Sequence, residues 1–447
     1  MKGFKAYDIR GVYNKDFNKN DVYKFGFFLP RLYNVKKILV GRDKRLSSDE
    51  IFDALTHGIM DAGCDVFDVG YSTTPMVYFA TGKHNFQTSV QITASHNAKE
   101  YNGFKVSGPQ VLPIGYNNGL NKIKTWIENE PVEPVERKGE IKEFQVKEEY
   151  LSFLSQYYDP QIQSLKVGVD CSNGMAALLI KELLGDFPEY INETADGNFP
   201  GHDPNPLKEE SRKDIVKLVK DNQLDVGIIF DGDADRVMFI DENGEFISPD
   251  LMIALMGNFF LKNTKNEKVL QDIRSSKSIK EYLSRFSAEM HTWRVGRAFA
   301  APKLKEIDGL YGGELAGHYY FRDFYYSDSG MMATLIVMNV ISEFKKQDIK
   351  LSALVKSISN YVSSGELNFQ IENKQKAMQT LTDHFSKEEE PLEIMDFDGY
   401  RLEFEHWWFN VRPSNTEPYL RVILEADSQD LLNEKTSEIK SILNRIQ

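Results

Sequence analysis

The sequence predicts an α/β protein of three tandem, similar units followed by a smaller α+β region. Three observations carry this. Apolar runs of strand length alternate with helical apolar faces up to about Ser363, the pattern of a sheet covered by helices. The alternation restarts at Leu165 and again at Pro249, so one unit recurs. Beyond Ser363, short strands succeed one another and a single helix closes the chain. The expected domains are residues 1–146, 147–248, 249–362 and 363–447.

The first unit opens with Tyr7-Asp-Ile-Arg-Gly11, where Arg10 precedes a glycine that allows a tight turn; alone it reads as a surface ion pair. Lys37-Ile-Leu-Val-Gly41 reads as a strand. Ser47-Ser-Asp-Glu50 supplies capping residues for a helix whose apolar face is Ile51, Leu55, Ile59 and Met60. Cys64 to Gly70 is a second strand, Thr73-Thr-Pro75 a helix start, and Ser89 to Thr93 a third strand. That strand runs into Thr93-Ala-Ser-His-Asn97 and then Glu100-Tyr-Asn-Gly-Phe-Lys105. Chemistry in α/β sheets gathers at the carboxyl ends of strands, which singles out Ser95, His96 and Lys105. Without a Gly-x-Ser-x-Gly pattern, Ser95 is not on a nucleophile elbow. Residues 117–146 are polar and read as a last helix and a linker.

The second unit has a strand at Leu165 to Asp170, an apolar helix to Leu184, a loop at Asp196 to Pro206 and a helix from Leu207 to Val219. Val226-Gly-Ile-Ile-Phe230 is then a buried strand that ends in Asp231-Gly-Asp-Ala-Asp-Arg236. Three like charges at alternate positions repel unless a cation neutralises them. Hard oxygen ligands around small residues suit Mg2+, and the Arg236 fork suits a phosphate. An EF-hand is excluded, since Arg236 stands where the turn glycine belongs and the flanks read as strands. A solvated acidic turn is the bland alternative.

In the third unit, Pro249 to Leu261 reads as a helix, Lys268 to Gln271 as a strand and Ser275 to Phe286 as a helix. Trp293-Arg-Val-Gly-Arg297 and Tyr311-Gly-Gly-Glu-Leu-Ala-Gly-His318 follow. Flexible backbone there presents Glu314 and His318, a carboxylate for paired hydroxyls and an imidazole for a proton. Ser327 to Phe344 reads as one long helix. In the last region, strands are expected near Ile371, at Gly399 to Phe404, Trp407 to Val411 and Leu420 to Leu424, with a helix to Ile446. The loop Arg412-Pro-Ser-Asn-Thr-Glu-Pro418 offers a guanidinium, hydroxyls and an amide, a set suited to a phosphate monoester.

The 447 residues carry a net charge of -13, which argues against a nucleic-acid surface. No apolar run is long enough for a membrane span, and the first residues lack a signal-peptide core. Cys64 and Cys171 beside apolar runs read as free buried thiols, consistent with a cytoplasmic location. The oligomeric state is not legible.

The loops at 93–97, 102–105 and 231–236 resemble the signature loops of the α-D-phosphohexomutases, the phosphomannomutases and phosphoglucomutases that work through a phosphoserine. Tyr7 to Gly11 resembles that family's opening motif, Glu314 to His318 its sugar-recognition loop and Arg412 to Pro418 its phosphate-binding loop. The resemblance implies four domains around a central cleft. It also implies interconversion of hexose 1-phosphate and hexose 6-phosphate through phospho-Ser95 and a hexose 1,6-bisphosphate, which also serves as activator. Mg2+ would sit on Ser95, Asp231, Asp233 and Asp235. Lys105, His318 and Arg10 are the candidates for proton handling. Substrate binding would fall to Tyr7, Arg236, Arg294, Arg297, Glu314, His318, Arg412, Ser414, Asn415 and Thr416. Three departures stand out: Ala98 for a usual proline, Ala316 for a usual serine, and Arg297 for a frequent histidine, which would place a larger permanent cation near the substrate phosphate. Asn415 and the Thr93-Ala-Ser start are closer to the mannose and glucose enzymes than to glucosamine ones.

Overall fold

A computed structural model describes residues 2–414 and 418–446 of the chain. The first three of its four sheets share one wiring. In the first, Lys37–Arg42 lies between Asp65–Tyr71 and Ser89–Ile92, all parallel, and Tyr101–Ser107 adds antiparallel to Ser89–Ile92. In the second, Val167–Asp170 lies between Glu189–Ile191 and Val226–Phe230, with Val237–Asp241 antiparallel. In the third, Lys268–Asp272 lies between Glu289–Trp293 and Tyr311–Gly313, with Tyr319–Phe321 antiparallel. The same four-strand order three times over is the repeat that the sequence pattern predicts. Val167–Asp170 and Val226–Phe230 are buried along their whole length, which explains their unbroken apolar character.

Four local expectations are corrected. Residues 141–143 are not linker: Ile141–Glu143 pairs in parallel with Asp65–Tyr71 and forms the edge of the first sheet. All three are exposed, so no hydrophobic pattern marks them. The stretch from Glu100 to Lys105 is not a loop. It enters Tyr101–Ser107, which pairs with Ile9–Val12 so that Arg10 faces Gly103. A Cβ at Gly103 would stand 1.9 Å from the Ile9 carbonyl oxygen, so only glycine fits. The long helix starts at Gly330, not Ser327, because the Ser329 hydroxyl caps it by accepting from Met332 N. Ser327–Asp328 is instead a short strand on Tyr319–Phe321. In the last region the strand expected near Ile371 lies at Leu367–Phe369. The sequence reading also missed the helix Lys374–Glu388, whose Ala377, Met378, Leu381 and Phe385 form one buried stripe.

Helix Gly330–Lys345 is buried almost all round and belongs to one apolar core that runs through the second and third sheets. The first sheet and the C-terminal region have cores of their own. The C-terminal sheet is tied to the third by buried polar contacts. Arg401 Nη1 donates to the Ile273 and Ser275 carbonyls at 2.9 and 2.6 Å. Glu425 accepts from Ser276 Oγ and Trp408 Nε1, both at 2.9 Å. Burial, with Asp250 nearby, pushes the Glu425 carboxyl up to about 7. No helix among the described residues is long and apolar enough to cross a membrane. The loops singled out in the sequence follow strand ends: 93–97 after Ser89–Ile92, 231–236 after Val226–Phe230, and 314–318 after Tyr311–Gly313.

Candidate active site

The serine loop and the acidic loop are built against each other. Ser95 and Ala234 both take left-handed backbone, with φ of 50° and 63°. A Cβ at Gly232 would stand 2.5 Å from the Ser95 carbonyl oxygen, so glycine is what lets the loops touch. Arg45 pins the serine loop from behind. Its Nη2 donates to the Ser95 and Asn97 carbonyls at 2.7 Å, and its Nη1 to Ala98 and Tyr101 at 2.8 and 3.1 Å. Ser95 Oγ donates to Asp231 Oδ2 at 2.8 Å and lies 3.2 Å from His96 Nδ1. Burial and the cations Arg236, Arg10 and Lys105 hold His96 well below the usual histidine range, so it is a neutral imidazole.

Asp231, Asp233 and Asp235 are fully buried, with one ligand oxygen from each within 4.8 Å of the others. Burial, then the Asp233 and Asp235 charges, push Asp231 well above the ordinary carboxylate range. Lys105 Nζ donates to Asp233 Oδ2 at 2.6 Å and contacts Asp235, while the Thr74 hydroxyl donates to Asp233. Asp233 Oδ1 and Asp235 Oδ1 are buried and have no hydrogen-bond partner. Orphaned buried carboxylate oxygens beside a like-charged third carboxylate are what a hard divalent cation satisfies, so the donor set fits Mg2+.

The sugar-loop candidates line up beside this centre. His318 Nε2 accepts from Arg236 Nε at 3.0 Å, and His318 Nδ1 lies 2.5 Å from Asp328 Oδ2. Glu314 is buried; its Oε1 accepts from Gly296 N at 3.1 Å and the Tyr320 hydroxyl at 2.7 Å. The Tyr7 hydroxyl donates to the Val295 carbonyl at 3.3 Å, joining the first unit to the third. Burial pushes that phenol up to about 12, so it stays a donor. Arg294 stacks 3.9 Å over Phe299 and keeps a buried Nε without a hydrogen-bond partner. Arg10 is spent locally, donating to Asp8 at 2.5 Å and Asn97 at 2.7 Å. In the fourth region Arg412 reaches Asp398 Oδ1 at 3.3 Å, while Asp398 Oδ2 accepts from Val295 N at 2.9 Å. Ser414 N donates to the Tyr419 carbonyl at 2.9 Å. Asn415 and Thr416 lie outside the described residues.

Four phosphoglucomutase/phosphomannomutase family models match in order: α/β/α domains I, II and III over residues 1–132, 148–244 and 248–361, and the C-terminal domain over residues 366–441. A phosphomannomutase of Methanocaldococcus jannaschii is 35% identical over 449 residues, covering 99% of this chain and 98% of that protein. The chain belongs to the phosphoglucomutase/phosphomannomutase family. A phosphomannomutase of Vibrio cholerae is likewise 35% identical over 460 residues, covering 99% of this chain and 98% of its own. Among solved structures, a family protein of Burkholderia thailandensis superposes with a TM-score of 0.87 at 27% identity, covering all of this chain and 97% of that one. Phosphohexomutases are isomerases of sugar phosphates, and that enzyme class is the chain's own.

Within this phosphohexomutase frame, the structure adds residues that the sequence reading missed. Thr74 touches the acidic loop, Arg45 sets the serine loop, Asp398 holds Arg412, and Asp328 holds His318. In the sequence Asp328 falls within the expected long helix, and Thr74 within an expected helix start. Arg297 is tied to protein groups through Nε and Nη2. Its Nε donates to Asp328 Oδ1 at 3.0 Å and its Nη2 to the Val111 carbonyl at 3.1 Å and Ser327 Oγ at 3.2 Å.

Proposed function

We propose that the protein interconverts hexose 1-phosphate and hexose 6-phosphate, of mannose or glucose, through a phosphoserine at Ser95 and a hexose 1,6-bisphosphate. The observation that carries this is the Ser95 hydroxyl donating to Asp231 at 2.8 Å, on the rim of a buried three-carboxylate cluster. A serine placed there, beside buried carboxylates that a cation would bridge, is well placed to carry a phosphoryl group whose charge needs that cation. Asp231, Asp233 and Asp235 would hold Mg2+ together with a phospho-Ser95 oxygen; when bound, the ion neutralises the transferring phosphoryl group.

The chain's own groups then divide the work. Arg412, with Ser414, Asn415 and Thr416 in the same loop, takes the phosphate that the substrate brings. Glu314 and His318 take the sugar hydroxyls, and Tyr7, Arg236 and Arg294 surround the second phosphate position. Of the three proton-handling candidates, Lys105 donates to two carboxylates and Arg10 is a guanidinium held by Asp8, so both supply positive charge. His318 alone offers a nitrogen lone pair, and we assign it the hydroxyl proton. We assign four domains, residues 1–146, 147–248, 249–362 and 363–447, each contributing one loop to the site. Hexose 1,6-bisphosphate would restore phospho-Ser95 whenever the intermediate escapes.

The test is a rate measurement on mannose 1-phosphate, glucose 1-phosphate and glucosamine 1-phosphate with Mg2+ and a trace of the matching bisphosphate. The expected result is 6-phosphate from the mannose or glucose substrate, faster than from glucosamine, with no net inorganic phosphate. Inorganic phosphate appearing as fast as substrate disappears would make the protein a phosphatase.

A further inference from the structure

We propose that Asp328 is a positioning residue for phosphoryl transfer: it keeps the His318 proton on Nδ1 and so leaves the Nε2 lone pair to receive the substrate hydroxyl proton. This rests on the reading of His318 as the proton-handling group.

The hydrogen bonds around the ring admit one tautomer. A guanidinium N–H can only donate, so the Arg236 Nε contact at 3.0 Å requires a lone pair on His318 Nε2. The proton of a neutral ring is then on Nδ1, which faces a carboxylate oxygen of Asp328 at 2.5 Å. A carboxylate in this place both fixes the tautomer and stabilises the imidazolium that forms when Nε2 takes a proton.

Asp328 is itself held rigidly. It is fully buried, and its second oxygen accepts from Arg297 Nε at 3.0 Å. Arg297 is anchored in turn on the Val111 carbonyl and stacks 3.8 Å over the Tyr78 ring, both in the first unit. Backbone register pairs Asp328 with Tyr320, and the Tyr320 ring lies nearly parallel to His318 with centroids 6.2 Å apart. The arginine that stands where a histidine is frequent is therefore used behind the catalytic histidine, where it clamps the carboxylate. Arg236 covers Nε2 and lies 3.8 Å from Asp231. A phosphate is a stronger partner for a guanidinium than an imidazole is, so substrate binding draws Arg236 away and uncovers the lone pair. In the transfer, the sugar oxygen bonds to phosphorus and the Ser95 Oγ–phosphorus bond breaks with its electron pair on Oγ. The sugar hydroxyl proton passes to Nε2.

The experiment is 15N NMR of the histidine side chains in the full-length protein, which has eight histidines, with His318→Gln to identify the His318 signals. In the wild type, Nδ1 is expected as the protonated nitrogen and Nε2 as the unprotonated one. In Asp328→Asn the amide oxygen faces Arg297 and the amide N–H faces Nδ1, so the proton moves to Nε2. kcat should fall about a hundred- to ten-thousandfold with KM nearly unchanged, as expected for a wrong tautomer. Arg297→Gln leaves the Asp328 oxygen on Nδ1, so the tautomer should persist and kcat fall only about tenfold. A wild-type ring protonated at Nε2 overturns the inference, even if the Asp328 variant does not fold. So does an Asp328→Asn enzyme with unchanged tautomer and kcat. If His318→Gln turns over at the wild-type rate, the underlying assignment of His318 falls and takes the inference with it, whatever the tautomer shows.

Discussion

Ser95→Ala is expected to lower mutase turnover by at least ~10⁴-fold, because in the proposed route Ser95 Oγ is the atom that carries the phosphoryl group between two positions of the sugar. The protein should stay folded. Ser95 Oγ meets only Asp231 and His96, and the loop is held by Arg45 through backbone carbonyls, none of which the substitution removes. The left-handed backbone at residue 95 is no worse for alanine than for serine. Added hexose 1,6-bisphosphate should not rescue the variant, since there is no oxygen left to phosphorylate. Steady-state rates with and without bisphosphate, next to a thermal melt, decide it: near wild-type turnover in the folded variant would remove Ser95 from the mechanism.

Asp233→Asn should cost roughly 10³-fold in rate and most of the response to Mg2+. The cation loses one of three negative ligands, and the amide nitrogen turns a donor toward it. Stability should move the other way in metal-free buffer. Three buried carboxylates repel, with Lys105 and Arg236 as their nearest cations, so removing one charge relieves the cluster while Lys105 keeps Asp235. Unfolding followed with and without Mg2+ shows both effects. A ligand that binds only the folded state adds about 2.7 kcal/mol at a hundred times its Kd, and the variant should lose most of that gain at the same concentration. An equal Mg2+-induced shift in both proteins would reduce the three acids to an ion-pair network for Lys105.

Much of this site is written in consecutive residues, which is why the sequence shows it. The acids at 231, 233 and 235 alternate directly after an apolar strand, where a cation explains their crowding better than a solvated turn does. Ser95 is legible because a short polar motif ends a strand; Lys105 is legible by its residue type and motif, although it lies inside the strand Tyr101–Ser107. What the sequence hides is assembled across long separations. Thr74 reaches Asp233, and Arg45 grips carbonyls some fifty residues on, but each belongs locally to an ordinary helix start or polar turn. Asp328 is masked more thoroughly. The apolar pattern of Met331 to Ile341 extends the expected helix backwards over it, and only the Ser329 cap ends that helix in time to leave a strand. The edge strand Ile141–Glu143 has no buried face to pattern. Arg297 shows that a residue type predicts a charge but not its protein partners: its Nε and Nη2 are held by Asp328, Ser327 and the first unit.

The most direct test of the central claim is a single turnover of enzyme carrying radiolabelled phosphate on Ser95, mixed with unlabelled mannose 1-phosphate or glucose 1-phosphate in Mg2+. The label should leave Ser95 at least as fast as product forms and appear in the bisphosphate and then in the hexose 6-phosphate, at the 6-position. Label that stays on the protein while hexose 6-phosphate accumulates would contradict the phosphoserine route.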